Sequence, residues 1–480
     1  MGTGMSEGTG DGDEGPRRDE ASWREADDAV TVVDPSKLWR TIAGTAVGNM
    51  MEWYDFGVYS YLAVVLGKVF FPGASTPIQL IAAFAAFAAA FLVRPLGGLF
   101  FGPLGDRIGR KRVLVVTMMM MAVGTMCIGL VPGYRTIGIW APVLLLGARL
   151  IQGFSTGGEY GSAMTYVAEH SPDRRRGFLA SWLEVGTLGG YVLGAVLVTA
   201  LTATLSSRDM LSWGWRIPFL LAGPFGLAGL YFRLRLGETP VYEEMERREP
   251  ARETGLRAEV RHILVEHRRP FLVCIGLALV LNVTSYMLTS YMPSYLTAEL
   301  GVRQSSALMI VAAVMAILMV LVPFVGLLSD RIGRKPVLMT GCLLLVVGSV
   351  PAFMIIRLGT LRAIFLGCVL IGLMFLCFDS TEPATLPALF PTEVRAGALS
   401  VAFNVSVSVF GGTTPLVNEA LVHLTGNKLL PGFYLAAAGG IGAVAVMCAP
   451  ENAREPLPGA LPSVTGPASR AGSPRPVDDH

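Results

Sequence analysis

The sequence predicts an all-α integral membrane protein, with twelve transmembrane helices arranged as two homologous six-helix bundles. Three observations lead there. Of 480 residues, 52% are hydrophobic and only 15% are charged, whereas soluble domains carry about 25% charged residues; the mean hydropathy is +0.54. The string Gly102-Pro103-Leu104-Gly105-Asp106-Arg107-Ile108-Gly109-Arg110-Lys111 returns as Gly326-Leu327-Leu328-Ser329-Asp330-Arg331-Ile332-Gly333-Arg334-Lys335. Such charge is costly in hydrocarbon, so each copy belongs in water between two spanning helices, and two copies indicate a duplicated membrane protein. Finally, one long polar stretch divides the apolar segments into six and six.

A crossing helix needs about 20 apolar residues. After a Gly-, Asp-, Glu- and Arg-rich tail over 1–37, the first segment runs near 39–66 and the second near 78–104, ending on the first charged string. The third (113–131) leads to a fourth (139–167) that closes on Pro172-Asp173-Arg174-Arg175-Arg176-Gly177, and the fifth and sixth follow at 178–201 and 215–233. The Arg- and Glu-crowded linker 234–270 precedes a seventh segment near 271–296 and an eighth at 305–328, which ends on the second charged string. The ninth (337–356) and tenth (362–388) precede Pro391-Thr392-Glu393-Val394-Arg395-Ala396-Gly397, a second matching loop; the eleventh and twelfth lie at 398–422 and 430–449. The expected division is a disordered tail 1–37, a bundle 38–233, the linker, a bundle 271–449 and a disordered Pro-rich tail 450–480. Two homologous halves place a binding site at their interface near mid-membrane.

Lys and Arg mark one side: Arg107, Arg110, Lys111 and Arg112, then Arg174 to Arg176, then Arg331, Arg334 and Lys335. By the positive-inside rule these loops, the linker and both termini are expected in the cytoplasm. The N-terminal tail has no apolar core of a cleaved signal peptide.

A net charge of +2 gives no basic groove for nucleic acid. Six cysteines lie singly in apolar runs without metal-ligand spacing, so they read as small buried hydrophobes, and no metal or cofactor is expected. No nucleophile with a positioned base and no phosphate loop suggests an enzyme. The partners expected are a small molecule and the lipid bilayer.

An ionisable residue inside a span costs about 2.5–3.5 kcal/mol on insertion scales, so each is a functional candidate. They are Glu52, Asp55, Arg94, Arg149, Glu159, Glu184, Asp379 and Glu382. Glu52, Asp55 and Tyr59 share one helical face. A carboxylate beside an arginine can load and release a proton as access alternates; the other reading is a static buried ion pair. At 1.5 Å per residue, Arg94 and Glu159 lie at similar depth, roughly 15 Å in, and Arg149 lies nearer Glu52 and Asp55. Arg149 is therefore the first expected partner of the segment-one carboxylates, and Arg94 the second. Trp53, Tyr54, Tyr59, Tyr61, Tyr160, Tyr286, Tyr291 and Tyr295 offer faces for a quaternary ammonium, or simply lie at lipid and interface positions.

The doubled Gly-x-x-x-Asp-Arg-x-Gly-Arg-Lys loop, with Gly147-Ala148-Arg149-Leu150-Ile151-Gln152-Gly153, resembles the major facilitator superfamily. Glu52-Trp53-Tyr54-Asp55-Phe56-Gly57, Arg94-Pro95-Leu96-Gly97-Gly98, Gly157-Gly158-Glu159-Tyr160 and Trp213-Gly214-Trp215-Arg216-Ile217-Pro218-Phe219 resemble its bacterial metabolite:proton symporters. Asn282-Val283-Thr284, Tyr286-Met287-Leu288 and Tyr291-Met292-Pro293-Ser294-Tyr295-Leu296 look most like the proline/glycine betaine branch. The resemblance implies a multi-pass protein of the bacterial inner membrane that imports a zwitterionic osmolyte with a proton. Uptake of an organic acid such as α-ketoglutarate, citrate or shikimate is the alternative, and a non-transporting sensor a third reading. It implies proton coupling through Asp55, Glu52, Arg149, Glu159 and Arg94, and substrate contacts from Tyr59, Glu184, Asn282, Tyr286 and Tyr291. Gating falls to Asp106, Arg107, Arg110, Asp330, Arg331 and Arg334. The chain departs from osmosensing members in lacking their C-terminal coiled coil, and it has Glu184 where the branch tends to have Asp.

Overall fold

The computed structural model describes residues 31–33, 35–108, 110–157, 159–235, 266–392, 394–460 and 463–465. Twelve spans carry the chain back and forth. In the first half they are α1 (Pro35–Tyr61, continued as Ala63–Phe70), α2 (Thr76–Leu92 and Arg94–Ile108), α3 (Arg110–Leu130), α4 (Trp140–Ser155 and Glu159–His170), α5 (Arg176–Ala180 and Trp182–Thr204) and α6 (Arg216–Arg235). In the second they are α7 (Arg268–Tyr286, a π-turn at Met287–Tyr291, then Met292–Ala298), α8 (Gln304–Ile332), α9 (Arg334–Ile356), α10 (Leu361–Asp379 and Glu382–Thr385), α11 (Arg395–Ser406, a π-turn at Val407–Gly411, then Thr414–Thr425) and α12 (Leu430–Cys448). Each matches a segment expected from the sequence. Eight described spans are long and apolar enough to cross a membrane by composition alone. Of the others, α1 and α4 carry the buried charges Glu52, Asp55 and Arg149.

Backbone breaks follow local chemistry. Pro95 has no N–H to give the Phe91 carbonyl, so α2 breaks at Val93. That carbonyl accepts instead from Ser408 Oγ of α11, at 2.6 Å, which ties the two halves at mid-depth. Glycines set how closely helices cross: a Cβ at Gly153 would lie 1.8 Å from the Ala90 carbonyl oxygen, and one at Gly97 1.8 Å from that of Phe154. The α2–α4 crossing therefore exists only with glycine at both places.

The halves meet along α5 against α8, α2 against α11, and α4 against α11. At the face bearing the Arg- and Lys-rich loops, the Asp330 carboxylate at the end of α8 accepts from Gly177 N at 2.8 Å and Phe178 N at 2.9 Å, both on α5. Arg395 at the start of α11 pairs with Glu169 of α4 at 2.7 Å. At the opposite face, Gln304 Nε2 donates to the Tyr61 carbonyl at 2.9 Å. Both ends of the interface are thus closed around the interior.

Two expectations are corrected. Composition reads 450–480 as disordered, yet 450–460 lies across the basic face. Glu451 accepts from the N–H groups of Arg334 and Lys335, each at 3.0 Å, and the Pro458 carbonyl accepts from Arg395 Nη2 at 2.6 Å. Ser463–Thr465 then pairs as a parallel strand with Thr31–Val33, which the sequence placed in the N-terminal tail. Backbone groups left over at helix ends explain this: they supply the bonds that a tail without a core can use. Second, Cys448 is exposed at the end of α12, while Cys274, Cys342 and Cys368 are buried as expected. The linker between Arg235 and Glu266 lies outside the described residues.

Candidate functional site

Two polar assemblies sit in the interior, and the first belongs wholly to α1–α4. Arg94 of α2 pairs with Glu52 of α1 at 2.9 Å, with 1% and 3% of their side chains exposed. Three residues along α1, Asp55 accepts from Thr125 Oγ1 of α3 at 2.8 Å. Thr125 in turn accepts from Gln152 Nε2 of α4 at 2.7 Å, and Arg149 Nη1 donates to the Gln152 Oε1. A continuous chain thus joins Arg149, Gln152, Thr125 and Asp55.

Aromatic faces surround both cations. The Phe56 ring lies between Arg94 at 5.3 Å and Arg149 at 5.8 Å, and Arg149 sits 3.8 Å over Tyr59. Desolvated contacts of this kind contribute about 2 kcal/mol each. The guanidiniums nonetheless keep donors in hand, because Nε and Nη1 of Arg94 and Nε and Nη2 of Arg149 are buried without a partner. Beside them Trp53 packs against Tyr160, Tyr191 and Tyr286 at 5.7, 5.7 and 6.1 Å between ring centres. The Tyr286 hydroxyl is also buried and unpartnered. Unpaired buried donors are costly, so spare donors among aromatic faces make a receptor for an anion attached to an apolar or cationic body.

This corrects the depth argument. Residue counting set Arg94 level with Glu159 and put Arg149 first, and Arg94 second, as the partner of the segment-one carboxylates. Instead Arg94 binds Glu52, and Arg149 reaches Asp55 only through Gln152 and Thr125. The break before Pro95 and the lean of a helical side chain toward its N-terminus carry the Arg94 guanidinium away from the basic face. The side chains of Glu159, Asp106, Arg107 and Arg110 lie outside those described.

The expected substrate residues divide among four places. Tyr59 and Tyr286 line the arginine chamber; the Tyr59 hydroxyl donates to the Ala83 carbonyl at 3.0 Å. Asn282 donates back into its own helix, to Ala278 O at 2.7 Å, and packs where Gly411 of α11 leaves room. Tyr291 packs on Phe84 and Tyr295, 6.2 and 5.8 Å between ring centres, away from both arginines. Glu184 joins the second assembly, where it accepts from the Tyr160 hydroxyl and faces Asp379 of α10. Sequence reasoning named Asp379 and Glu382 as buried charges but gave them no role. It missed Thr125 as a link altogether, since a threonine in a Met-rich helix carries no signal of its own.

Of the gating candidates, Asp330 closes on α5 as described. Arg334 Nη1 donates to Ala384 O and Asn452 Oδ1, both at 2.7 Å, and the Arg331 carbonyl accepts from Arg454 at 3.1 Å. Just outside the membrane, Glu451 is pushed up by partial burial, but the N–H groups of Arg334, Lys335, Ala453 and Asn452 outweigh this and hold its carboxyl below the usual range.

Comparison with known proteins gives one answer. The sequence profile of the Major Facilitator Superfamily matches residues 41–415 and 300–464. The chain is 46% identical over 443 residues to the glycine betaine/proline/ectoine/pipecolic acid transporter OusA of Dickeya dadantii, covering 91% of this chain and 88% of that one. It is 44% identical over 441 residues to the proline/betaine transporter of Escherichia coli, covering 91% and 88%. It is 43% identical over 451 residues to the ectoine/proline transporter ProP of Corynebacterium glutamicum, covering 91% and 89%. Among solved structures, the proton:xylose symporter XylE bound to 6-bromo-6-deoxy-D-glucose superposes with a TM-score of 0.69 at 18% identity, covering 88% of this chain and 98% of that one. That likeness concerns the fold.

Proposed function

From a chain that belongs to the Major Facilitator Superfamily, and is a multi-pass inner-membrane protein, we infer an importer of a small zwitterionic osmolyte, of the proline or glycine betaine kind, driven by a proton through alternating access. The basic face and both termini lie in the cytoplasm on this reading.

The observation that carries it is the pair of buried arginines with spare donors inside an aromatic box. The substrate carboxylate takes those donors, and its cationic end rests on ring faces such as Trp53 and Tyr286. Competition for the arginines explains the proton. Glu52 holds Arg94, and Asp55 reaches Arg149 through Thr125 and Gln152, so an arriving carboxylate competes with Asp55 for the Arg149 relay, and a proton taken up by Asp55 frees that relay. Glu52, Asp55, Arg94 and Arg149, with Glu159 on sequence grounds, form the proposed coupling set.

Trp53 reports on its own occupancy. In purified protein, glycine betaine and proline should change its fluorescence in a saturable way, and Trp53→Phe should remove that change. A response to α-ketoglutarate or shikimate with none to betaine would move the chain to organic acids, with both arginines as carboxylate ligands.

A further inference from the structure

The charged groups of the first assembly all lie on α1–α4 and move as one piece when the halves rock, so no ion pair among them measures the separation directly. A symporter needs its proton affinity tied to that separation. The second assembly is built for this.

Glu184 lies on α5 of the first half, and Asp379 and Glu382 on α10 of the second; their exposures are 1%, 2% and 0%. The carboxyl groups of Glu184 and Asp379 face each other across the interface. Carboxylates only accept, so a bond between them requires a proton on one. Tyr160 of α4 donates to Glu184 from the other side. Independently, both oxygens of Glu382 and Oδ2 of Asp379 are buried with no partner. The remaining titratable neighbours, Cys274 of α7 and Cys342 of α9 beside Glu382, are thiols and bring no positive charge. No cluster able to hold a metal ion occurs among the described residues, and a proton is the cation that can bridge two carboxyl groups.

Position supports the same reading. Glu184 is about 12 Å along α5 from its start at Arg176, and the bonds from Gly177 and Phe178 to Asp330 close that same end of α5 against α8. Opening there draws α5 from the second half and parts Glu184 from Asp379.

We propose that Glu184 and Asp379, with Glu382 beside them, form an interface-spanning proton site that holds a shared proton while the halves are closed and releases it to the cytoplasm when they part. In the closed state one proton bridges the two carboxyls. On inward opening the O–H bond breaks, the proton passes to water, and two carboxylates remain until the outward-facing state reloads one. The proposal rests on the symport reading above.

The test uses the full chain in proteoliposomes. At one proton per substrate, a gradient of one pH unit drives about tenfold accumulation, since a pH unit is a factor of ten. Asp379→Asn and Glu184→Gln should each still exchange labelled betaine for unlabelled betaine, yet stop at equal concentrations inside and out. Accumulation like the wild type's would overturn the proposal. So would loss of exchange in protein that remains monodisperse, because that assigns the pair to substrate or structure. Should the Asn variant not fold, Glu184→Gln carries the test alone, its amide keeping the bond to Tyr160. A wild type that takes up no zwitterion defeats the functional reading; a wild type that accumulates beside variants that do too defeats only this site.

Discussion

Removing the anion from the Arg94–Glu52 pair has a calculable consequence. Glu52→Leu leaves a guanidinium that is 1% exposed, with Nε and Nη1 already unpartnered and the bond from Nη2 lost. An uncompensated buried charge costs about 3–5 kcal/mol. Helices unfolded within a micelle find other partners, so the expectation is the lower end, about 3 kcal/mol. Adding Arg94→Met removes the stranded charge, and exchange of a whole buried pair for apolar groups is close to neutral. The assay is reversible unfolding of wild type, both single variants and the double variant in mixed micelles, read as a double-mutant cycle. With each single variant costing about 3 kcal/mol and the double variant near neutral, a coupling free energy of about 6 kcal/mol is expected. The double variant should fold yet bind no substrate, because the Arg94 donors are gone. Single variants that each cost under about 1 kcal/mol and simply add would refute the pair as the organising charge of the chamber.

Three further outcomes follow from particular contacts. Gly153→Ala places a Cβ 1.8 Å from the Ala90 carbonyl, and should cost at least the roughly 1–3 kcal/mol of overpacking, seen as a lowered melting temperature; Gly147→Ala, with nothing within 4 Å, should melt like wild type. Asp330→Asn weakens two charge-assisted bonds to α5, each of about 1.5–3 kcal/mol. It should speed alkylation of Ser181→Cys from the cytoplasmic side about tenfold in a Cys448→Ser background, and an unchanged rate would remove Asp330 from the gate. Glu451 has a folded value below its ordinary 4.5, so its contribution to holding the segment after α12 on the start of α9 is full above that pH and is lost as pH falls through the lower value. Acid release of that segment should therefore begin below about pH 4.5, and Glu451→Gln should abolish that step.

The spans were legible because hydrocarbon admits little else: a run such as Gln304–Ile332 has one structural option. The candidate charges were legible for the same reason, since burial without water makes each one conspicuous. Their pairing was not. Whether Arg94 meets Glu52 or Glu159 depends on the break at Val93 and on side-chain lean, and neither is contained in a residue count. Thr125 and Gln152 became parts of the site only through neighbours distant in sequence, and Asp379 gained meaning only when Glu184 was found across the interface. The stretch 450–460 was misread because its order comes from bonds to other loops, not from its own composition.

The central claim is proton-driven import of a zwitterion, and the direct measurement is uptake of labelled glycine betaine and proline into proteoliposomes under an imposed inward proton gradient, with α-ketoglutarate and shikimate as competitors. The account predicts accumulation of the zwitterions that is abolished by a protonophore and not displaced by the acids. Acid uptake without betaine uptake, or betaine accumulation indifferent to the protonophore, would contradict it.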